Sequence, residues 1–339
     1  LSAALKQSIK EKARQLGFIL AGVTSSEPPQ HYSAFESWLN NGFHGTMNYL
    51  ADEHSRARRA DPKQILPECK SILVLAIPYS PFILHPSSFK IASYALGDDY
   101  HDIIPPRLKE LVEFIEAQVG HPVPNRYYTD TGHLLERELA QRAGLGWIGK
   151  NAMLINPKAG STFFLAEILL GIELEPDDAT ITDHCGTCAR CLDACPTQAI
   201  LPNRVIDSRR CISYLTIENK GAIPEDLRPQ LENWIFGCDI CQMVCPWNRF
   251  SAPADSAFEP LAQVATPDLT LSSVEFNQRF KRSPLKRAKR RGVLRNLAVA
   301  IGNTGNETDI PLLEQAAKDD EALVREHAEW AMKKVKSKK

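Results

Sequence analysis

Eight of the nine cysteines in this 339-residue chain lie between residues 185 and 245, in two tetrads. Cys185, Cys188, Cys191 and Cys195 form the string CGTCARCLDAC, followed at once by Pro196. Cys211 precedes Cys238, Cys241 and Cys245, the last three in CDICQMVC ahead of Pro246. Two-residue gaps let one loop wrap a face of a 4Fe-4S cube, while a fourth cysteine set before proline points to a neighbouring cluster. The spacing therefore predicts crossed ligands. Cys185, Cys188, Cys191 and Cys245 would hold one cluster, and Cys195, Cys211, Cys238 and Cys241 the other. Cys211 stands 27 residues before Cys238, so the intervening segment must fold to bring it back. Zinc sites usually show two separated pairs completing one tetrahedron, and disulfides suit small secreted scaffolds; both describe this pattern less well. Cys69 heads an apolar run and reads as a buried small hydrophobe.

A second group of residues able to do chemistry lies in RYYTDTGHLLERELAQRAGLGWIGKNAML (126–154). Asp130 sits in a Thr-Asp-Thr-Gly turn ahead of a helix expected to begin near Leu134, with Arg137 about one turn in. On local physics alone Asp130 is most simply a helix N-cap or Asx-turn residue. Gly144, Gly146 and Gly149 follow, free to let backbone approach something bulky, and lead to Lys150 and Asn151. GLGWIG follows a helix instead of a strand, so a dinucleotide site is poorly supported.

The third group is basic. KRSPLKRAKRRGVLR (281–295) carries eight Lys or Arg and no acid in a chain of net charge -1. A helix opening at Ser283-Pro284 would turn Leu285, Ala288, Leu294 and Leu297 inward and Lys286, Arg287, Lys289, Arg290 and Arg291 outward. Such a stripe can neutralise phosphates and release their counterions; a solvated helix face is the alternative.

These groups need elements to position them. LSAALKQSIKEKARQLGF has Leu5, Ile9, Ala13 and Leu16 at helical spacing and reads as a surface helix; an organellar transit peptide is the less favoured alternative. SILVLAIPY (71–79), ended by Pro78 and Pro81, and FFLAEILL (163–170) read as strands buried on both faces. PPRLKELVEFIEAQVG (105–120) reads as an amphipathic helix with Pro at its start and Gly at its end. Residues 1–172 thus form an α/β domain, 173–255 a loop-rich cysteine module and 256–339 a helical region. In the last, Thr308 or Asp309 would start a helix before Pro311. Leu294-Arg295 with Ala298 matches Val324-Arg325 with Ala328 at a thirty-residue shift, a short HEAT-like repeat. No apolar stretch approaches the roughly 20 residues of a membrane span. A cytoplasmic protein with reduced thiols, no membrane contact and a monomeric state is expected.

Taken together, YALGDDYH (94–101), YTDTGHLLER (128–137), AGLGWIGKN (143–151), HCGTCARCLDACPTQAI (184–200), GCDICQMVCPWN (237–248) and SPLKRAKRRGVLRN (283–296) resemble the epoxyqueuosine reductase family over nearly the whole chain. The resemblance implies an α/β cobalamin-binding domain related to reductive dehalogenases, a ferredoxin-like domain with two 4Fe-4S clusters and a C-terminal α-helical HEAT-like repeat. It also implies reduction of epoxyqueuosine to queuosine at the tRNA wobble position, fed by an external low-potential electron donor. Asp130 would then be the proton donor, which calls for desolvation in an enclosed pocket. Tyr94, Asp130, Arg137, Lys150, Asn151, Ser161, Asp239 and Ile240 would line the corrin or substrate pocket. Lys286, Arg287, Lys289, Arg290 and Arg291 would grip tRNA. Cobalamin comes from this resemblance only, since the Asp-x-His-x-x-Gly signature of histidine-ligated cobalt is missing: Asp52-Glu53-His54-Ser55-Arg56-Ala57 lacks the glycine. The family commonly has proline where this chain has His133, leaving a pH-sensitive group beside the turn and a role in proton supply open. A small-molecule reductive dehalogenase would share corrin and clusters but leave the basic tail idle. A plain electron-transfer ferredoxin would not need so large a first domain.

Overall fold

Alternating helix and strand organise the first half of the chain: α1 (Ala3–Gln15), β1 (Leu20–Ser25), α2 (Tyr32–Asn40), α3 (Glu53–Ala60), β2 (Ser71–Pro78), β3 (Lys90–Ile91), α4 (Tyr100–Val119), β4 (Asn125–Tyr128), α5 (Glu136–Arg142), β5 (Trp147–Ile148), β6 (Leu154–Ile155) and β7 (Phe163–Leu170). The computed structural model describes residues 3–79, 89–177, 182–262, 264 and 268–338; Pro81 lies outside them. Four strands pair in the order β1-β2-β7-β4, every neighbour antiparallel. The continuous apolar runs of β2 and β7 follow from helices on both faces, not from parallel crossovers. Successive side chains of a strand point to opposite faces. Leu73, Leu75 and Ile77 accordingly pack with Ile9 and Ala13 of α1 and Ile104, Leu108 and Leu111 of α4, while Ile72, Val74 and Ala76 pack with Leu139 and Ala140 of α5. Burying each such aliphatic side chain contributes about 1.5–3 kcal/mol, so the central strands give the site a rigid floor.

The helix expected from Pro105 starts five residues earlier, at Tyr100, because the Asp99 side chain accepts from the His101 N–H (3.1 Å) and caps it. Pro105 and Pro106 then sit inside the helix, and Gly120 ends it in the left-handed conformation. The earlier start carries Tyr100 to the helix end nearest the Asp130 turn.

The cysteine segment holds α6 (Arg190–Ala194), β8 (Ile200–Leu201), β9 (Val205–Ile206), α7 (Ile212–Ile217), β10 (Trp234–Phe236) and α8 (Ile240–Met243). Between Cys211 and Cys238 the chain leaves through α7 and returns along β10, which pairs in parallel with β3. The Gly237 N–H, at a positive φ of 64°, donates to Thr216 Oγ1 (2.9 Å) and closes the excursion.

The tail comprises α9 (Ser273–Arg279), α10 (Lys289–Thr304), α11 (Ile310–Ala316) and α12 (Ala322–Lys336). Leu294 and Ala298 of α10 meet Val324 and Ala328 of α12 in one core, as the thirty-residue repeat implies. Pro311 falls in the first turn of α11, which starts from Asp309 as expected, although the side-chain cap of the preceding 3-10 turn comes from Asn306. The basic segment departs from the expected single helix: a 3-10 turn over Pro284–Ala288 breaks at Lys289 (φ 60°) before α10 begins. The tail is locked to the cysteine segment by Arg295, wholly buried and donating to the carbonyls of Leu215, Asn219 and Gly221. Among the described residues no helix is long and apolar enough to cross a membrane.

Candidate active site

A cavity of about 420 Å³ opens where the sheet meets the cysteine segment. Phe163, Phe164 and Leu165 from β7 and Leu154 from β6 give it an apolar side; Tyr94, Tyr100, Asn151, Ser161, Asp239 and Gln242 give it hydroxyl, amide and carboxyl groups. Asp130 and Arg137 stand at the same cavity, and Cys195, Cys211, Cys238 and Cys241 form part of its wall.

Asp130 is not a helix cap. The helix starts at Glu136, and Asp130 takes the left-handed conformation (φ 57°), which favours glycine and is uncommon for other residues. Its N–H donates to Glu136 Oε1 (2.8 Å), and its Oδ2 accepts from the Tyr100 hydroxyl (2.7 Å). The carboxyl therefore faces the cavity from a turn pinned at both ends. It is exposed at the cavity mouth, not enclosed as expected. Burial first, then the Asp130 charge, pushes Tyr100 far up, so its phenol stays protonated and donating. Burial likewise raises Tyr94.

Arg137 donates to the Ala152 carbonyl (2.5 Å), closing the α5–β6 connection over the cavity. Asn151 reaches the Cys241 carbonyl (3.4 Å). Asp239, 4 % exposed, accepts from both the N–H (2.7 Å) and Oγ (2.8 Å) of Ser93, and burial raises it to about 6. Ile240 lies beside it on the wall. Ser161 is held by Asn248, whose Oδ1 accepts its N–H (2.7 Å), and by Gln242, which donates to its carbonyl (2.9 Å). Lys150 is a correction: it does not line this cavity, and its Nζ donates to the carbonyls of Gly186 (2.7 Å) and Cys188 (2.9 Å). His133 also turns away, its Nδ1 near Ser55 Oγ (3.1 Å) and Arg59 (3.4 Å); burial, then Arg59, lowers it and keeps it neutral. What Gly146 admits closely is the backbone of β6, since a Cβ there would stand 2.3 Å from the Ile155 carbonyl oxygen.

The eight cysteines divide in space as the crossed spacing expects. Cys185, Cys188, Cys191 and Cys245 line a second, smaller pocket with Lys150, His184 and Trp247. Cys191 lies within electrostatic reach of Cys185, Cys188 and Cys245, and Cys241 within reach of Cys211, Cys195 and, across the two groups, Cys191. Among the described residues no three His, Cys, Asp or Glu side chains converge on a single metal-ion position; each quartet lies in the wall of a pocket.

The basic groups sort themselves. Lys286, Arg287 and Lys289 are exposed and Arg291 is half-buried. Arg290 is committed inside the fold, paired with Asp319 (2.5 Å) and donating to the Leu271 carbonyl (2.6 Å). Arg287 pairs with Glu218 (2.8 Å) and lies over the exposed ring of Tyr49 (5.8 Å), itself within electrostatic reach of Asp130. The basic turn therefore borders the cavity mouth. Tyr49, Tyr100, Gln242, Asn248 and the acidic pair Glu136 and Glu167 were not singled out by spacing. Glu167 alone left a signal, as the one charge in the apolar run FFLAEILL.

Comparison with known proteins points to one family. Residues 59–131 match the family model for epoxyqueuosine reductase QueG, DUF1730, and residues 184–248 match a 4Fe-4S double cluster binding domain. The epoxyqueuosine reductase of Pseudomonas aeruginosa is 43% identical, over 98% of this chain and 95% of its own length. The chain belongs to the epoxyqueuosine reductase family. As a member it is a reductase; the Escherichia coli K12 relative is 38% identical over 97% of this chain and 89% of its own. A crystal structure of epoxyqueuosine reductase with a tRNA-Tyr epoxyqueuosine-modified stem loop superposes with a TM-score of 0.90 at 31% identity, covering 98% of this chain and 90% of that one. A Bacillus subtilis epoxyqueuosine reductase, solved with its catalytic loop swung out of the active site, gives a TM-score of 0.88 at 31% identity over 98% of this chain and 90% of its own.

Proposed function

We propose that this chain reduces epoxyqueuosine to queuosine at the wobble position of tRNA, using cobalamin and two 4Fe-4S clusters, with Asp130 as proton donor. The observation that carries the reading is a single cavity bounded by a pinned aspartate turn, a ring of amide and hydroxyl groups and one cysteine quartet. Its chemistry suits a corrin: an apolar side for the flat macrocycle, and Asn151, Ser161, Gln242 and Tyr94 for amide arms. Its lining includes no histidine to ligate cobalt. Cobalamin, when bound, supplies the strong reductant that carbon-oxygen cleavage requires, and the clusters supply it with single electrons.

The balance is an epoxide plus two electrons and two protons giving an alkene and water. Asp130 delivers a proton to the departing oxygen, and Tyr100 then steadies the carboxylate left behind. Cofactor and anticodon loop together would cover the exposed carboxyl and exclude water from it. A wobble base can be presented unstacked from a loop without disrupting a duplex. Lys286, Arg287, Lys289 and Arg291 meet backbone phosphates beside the mouth, and Arg290 serves the fold. Residues 1–172 would carry corrin and substrate, 173–255 the clusters and 256–339 the HEAT-like tRNA grip. The enzyme would act as a cytoplasmic monomer supplied by an external low-potential electron donor.

The test is anaerobic: protein reconstituted to about eight irons per chain, the two-cubane count, and loaded with cobalamin is given epoxyqueuosine-containing tRNA and a strong reductant. Loss of one oxygen from the wobble nucleoside supports the reading. An unchanged nucleoside with fully loaded enzyme and bound tRNA would end it.

A further inference from the structure

We propose that the wholly buried Glu167 carboxyl shares a proton with Glu136, and that this pair keeps the Asp130 turn in its cavity-facing conformation. The inference rests on the reading of Asp130 as proton donor and names the positioning device behind it.

Glu167 lies in mid-β7 between Val74 of β2 and Tyr128 of β4 and has 0% exposure. Neither of its carboxyl oxygens receives a hydrogen bond from an N–H or hydroxyl group of the protein among the described residues. What it does face, within hydrogen-bonding reach, is the Glu136 carboxyl. Two carboxyls so placed, Glu167 wholly buried and Glu136 half-buried at the cavity, do not readily both ionise; they hold a proton between them and titrate as a unit. With that proton on Glu167, its O–H donates to Glu136, and Glu136 remains a strong acceptor. Its Oε1 takes the Asp130 N–H at 2.8 Å. That bond opposes the cost of holding a non-glycine residue at φ 57°. Proton, Glu167, Glu136 and the Asp130 main chain thus form one linked set.

The charged groups around the pair are few. Asp130 from the turn, Arg137 from α5 and Arg59 from α3 lie within electrostatic reach of Glu136, and Asp130 also reaches Glu167. Burial first and the Asp130 charge second raise Glu136 to about 8. Burial first and Glu136 second raise Glu167 well above the ordinary range. Glu136 therefore ionises as the pH rises through about 8, while Glu167, held higher, keeps its proton. A leucine at position 167 would fill the strand equally well and provide no donor, so the carboxyl is what this place in the sheet requires.

Glu167→Leu and Glu136→Ala are expected to lower kcat by about a hundredfold, the scale of a misplaced catalytic group, with KM for tRNA little changed in Glu167→Leu, whose side chain is wholly buried. Glu167→Gln is the diagnostic variant. Its amide donates to Glu136 without titrating, so it should restore kcat relative to Glu167→Leu. Independently of activity, the infrared spectrum of cofactor-free wild type at neutral pH should contain a protonated-carboxyl stretch that is weakened in Glu167→Gln. Iron content and thermal unfolding of each variant guard against loss of fold. Wild-type kcat in Glu136→Ala, no recovery of kcat in a folded, iron-loaded Glu167→Gln, or a protonated-carboxyl band unchanged in Glu167→Gln each overturns the proposal. Failure of the donor reading looks different: Asp130→Asn would then turn over normally whatever the pair does.

Discussion

Cys195, Cys211, Cys238 and Cys241 stand in the wall of the cavity that holds Asp130, whereas Cys185, Cys188, Cys191 and Cys245 face a smaller pocket behind it, with Lys150, His184 and Trp247. The two quartets arise from similar spacing but differ in neighbours. The inner one is attached to the sheet side of the molecule through Asn151, Gln242 and Asn248. The outer one borders a surface groove at Cys245, where Arg190, Met243 and Arg249 also lie. The difference gives a direction: electrons delivered at the surface would reach the outer quartet first and the cavity through the inner one.

Removing ligands breaks this comparison most severely. Cys241→Ser should abolish turnover with every reductant and leave about four irons per chain, one cubane. Cys188→Ser should lose the same iron but keep part of its turnover with a small reductant that can enter the cavity. Equal losses with both kinds of reductant would remove the inner and outer distinction. Charge reversal sharpens the contrast between the tail's two kinds of basic residue. Lys286→Glu with Lys289→Glu should weaken tRNA binding and reduce its salt slope by about two, leaving iron content and unfolding alone. Arg290→Ala should instead lower stability by about 1–3 kcal/mol, the cost of leaving the mostly buried Asp319 without its partner. Fluorescence binding titrations at several salt concentrations, alongside thermal unfolding, separate the two. The smallest effect concerns pH. Glu136 is held above its ordinary value, so the folded chain binds more protons than the unfolded one between the usual carboxylate range and about 8. Wild-type stability should therefore decline across that window as pH rises, and Glu167→Gln should flatten the decline in Tm.

How much of this was legible in sequence depended on how far each residue's partner lay. Cysteine spacing within each run needs only local wrapping, while Cys211 is returned through α7 and β10; the eight cysteines are divided between the walls of two pockets. The apolar runs of β2 and β7 were equally plain, although antiparallel pairing was not, because a strand covered on both faces looks alike in either sense. Asp130 was misread as a cap, since its acceptor, Glu136, opens the helix instead of preceding it. Lys150 and Asn151 are adjacent in a turn and both line the smaller pocket, but only Asn151 also reaches the cavity. Arg290 was grouped with Lys289 on one helix face, but the break at Lys289 resets the helical phase and turns Arg290 inward to Asp319. Glu167 announced itself as a charge in a buried strand, and only the folded arrangement supplied its partner.

The central claim is that the Asp130 carboxyl supplies the proton in the cavity next to the inner quartet. It is tested most directly by a single-turnover experiment on Asp130→Asn carrying full iron and cobalamin, with epoxyqueuosine-containing tRNA bound. The asparagine keeps the turn and its size but carries no transferable proton. Little or no queuosine is expected, a loss of about a hundredfold or more in rate, with unfolding and tRNA affinity unchanged. Queuosine formed at the wild-type rate by that variant would contradict the account.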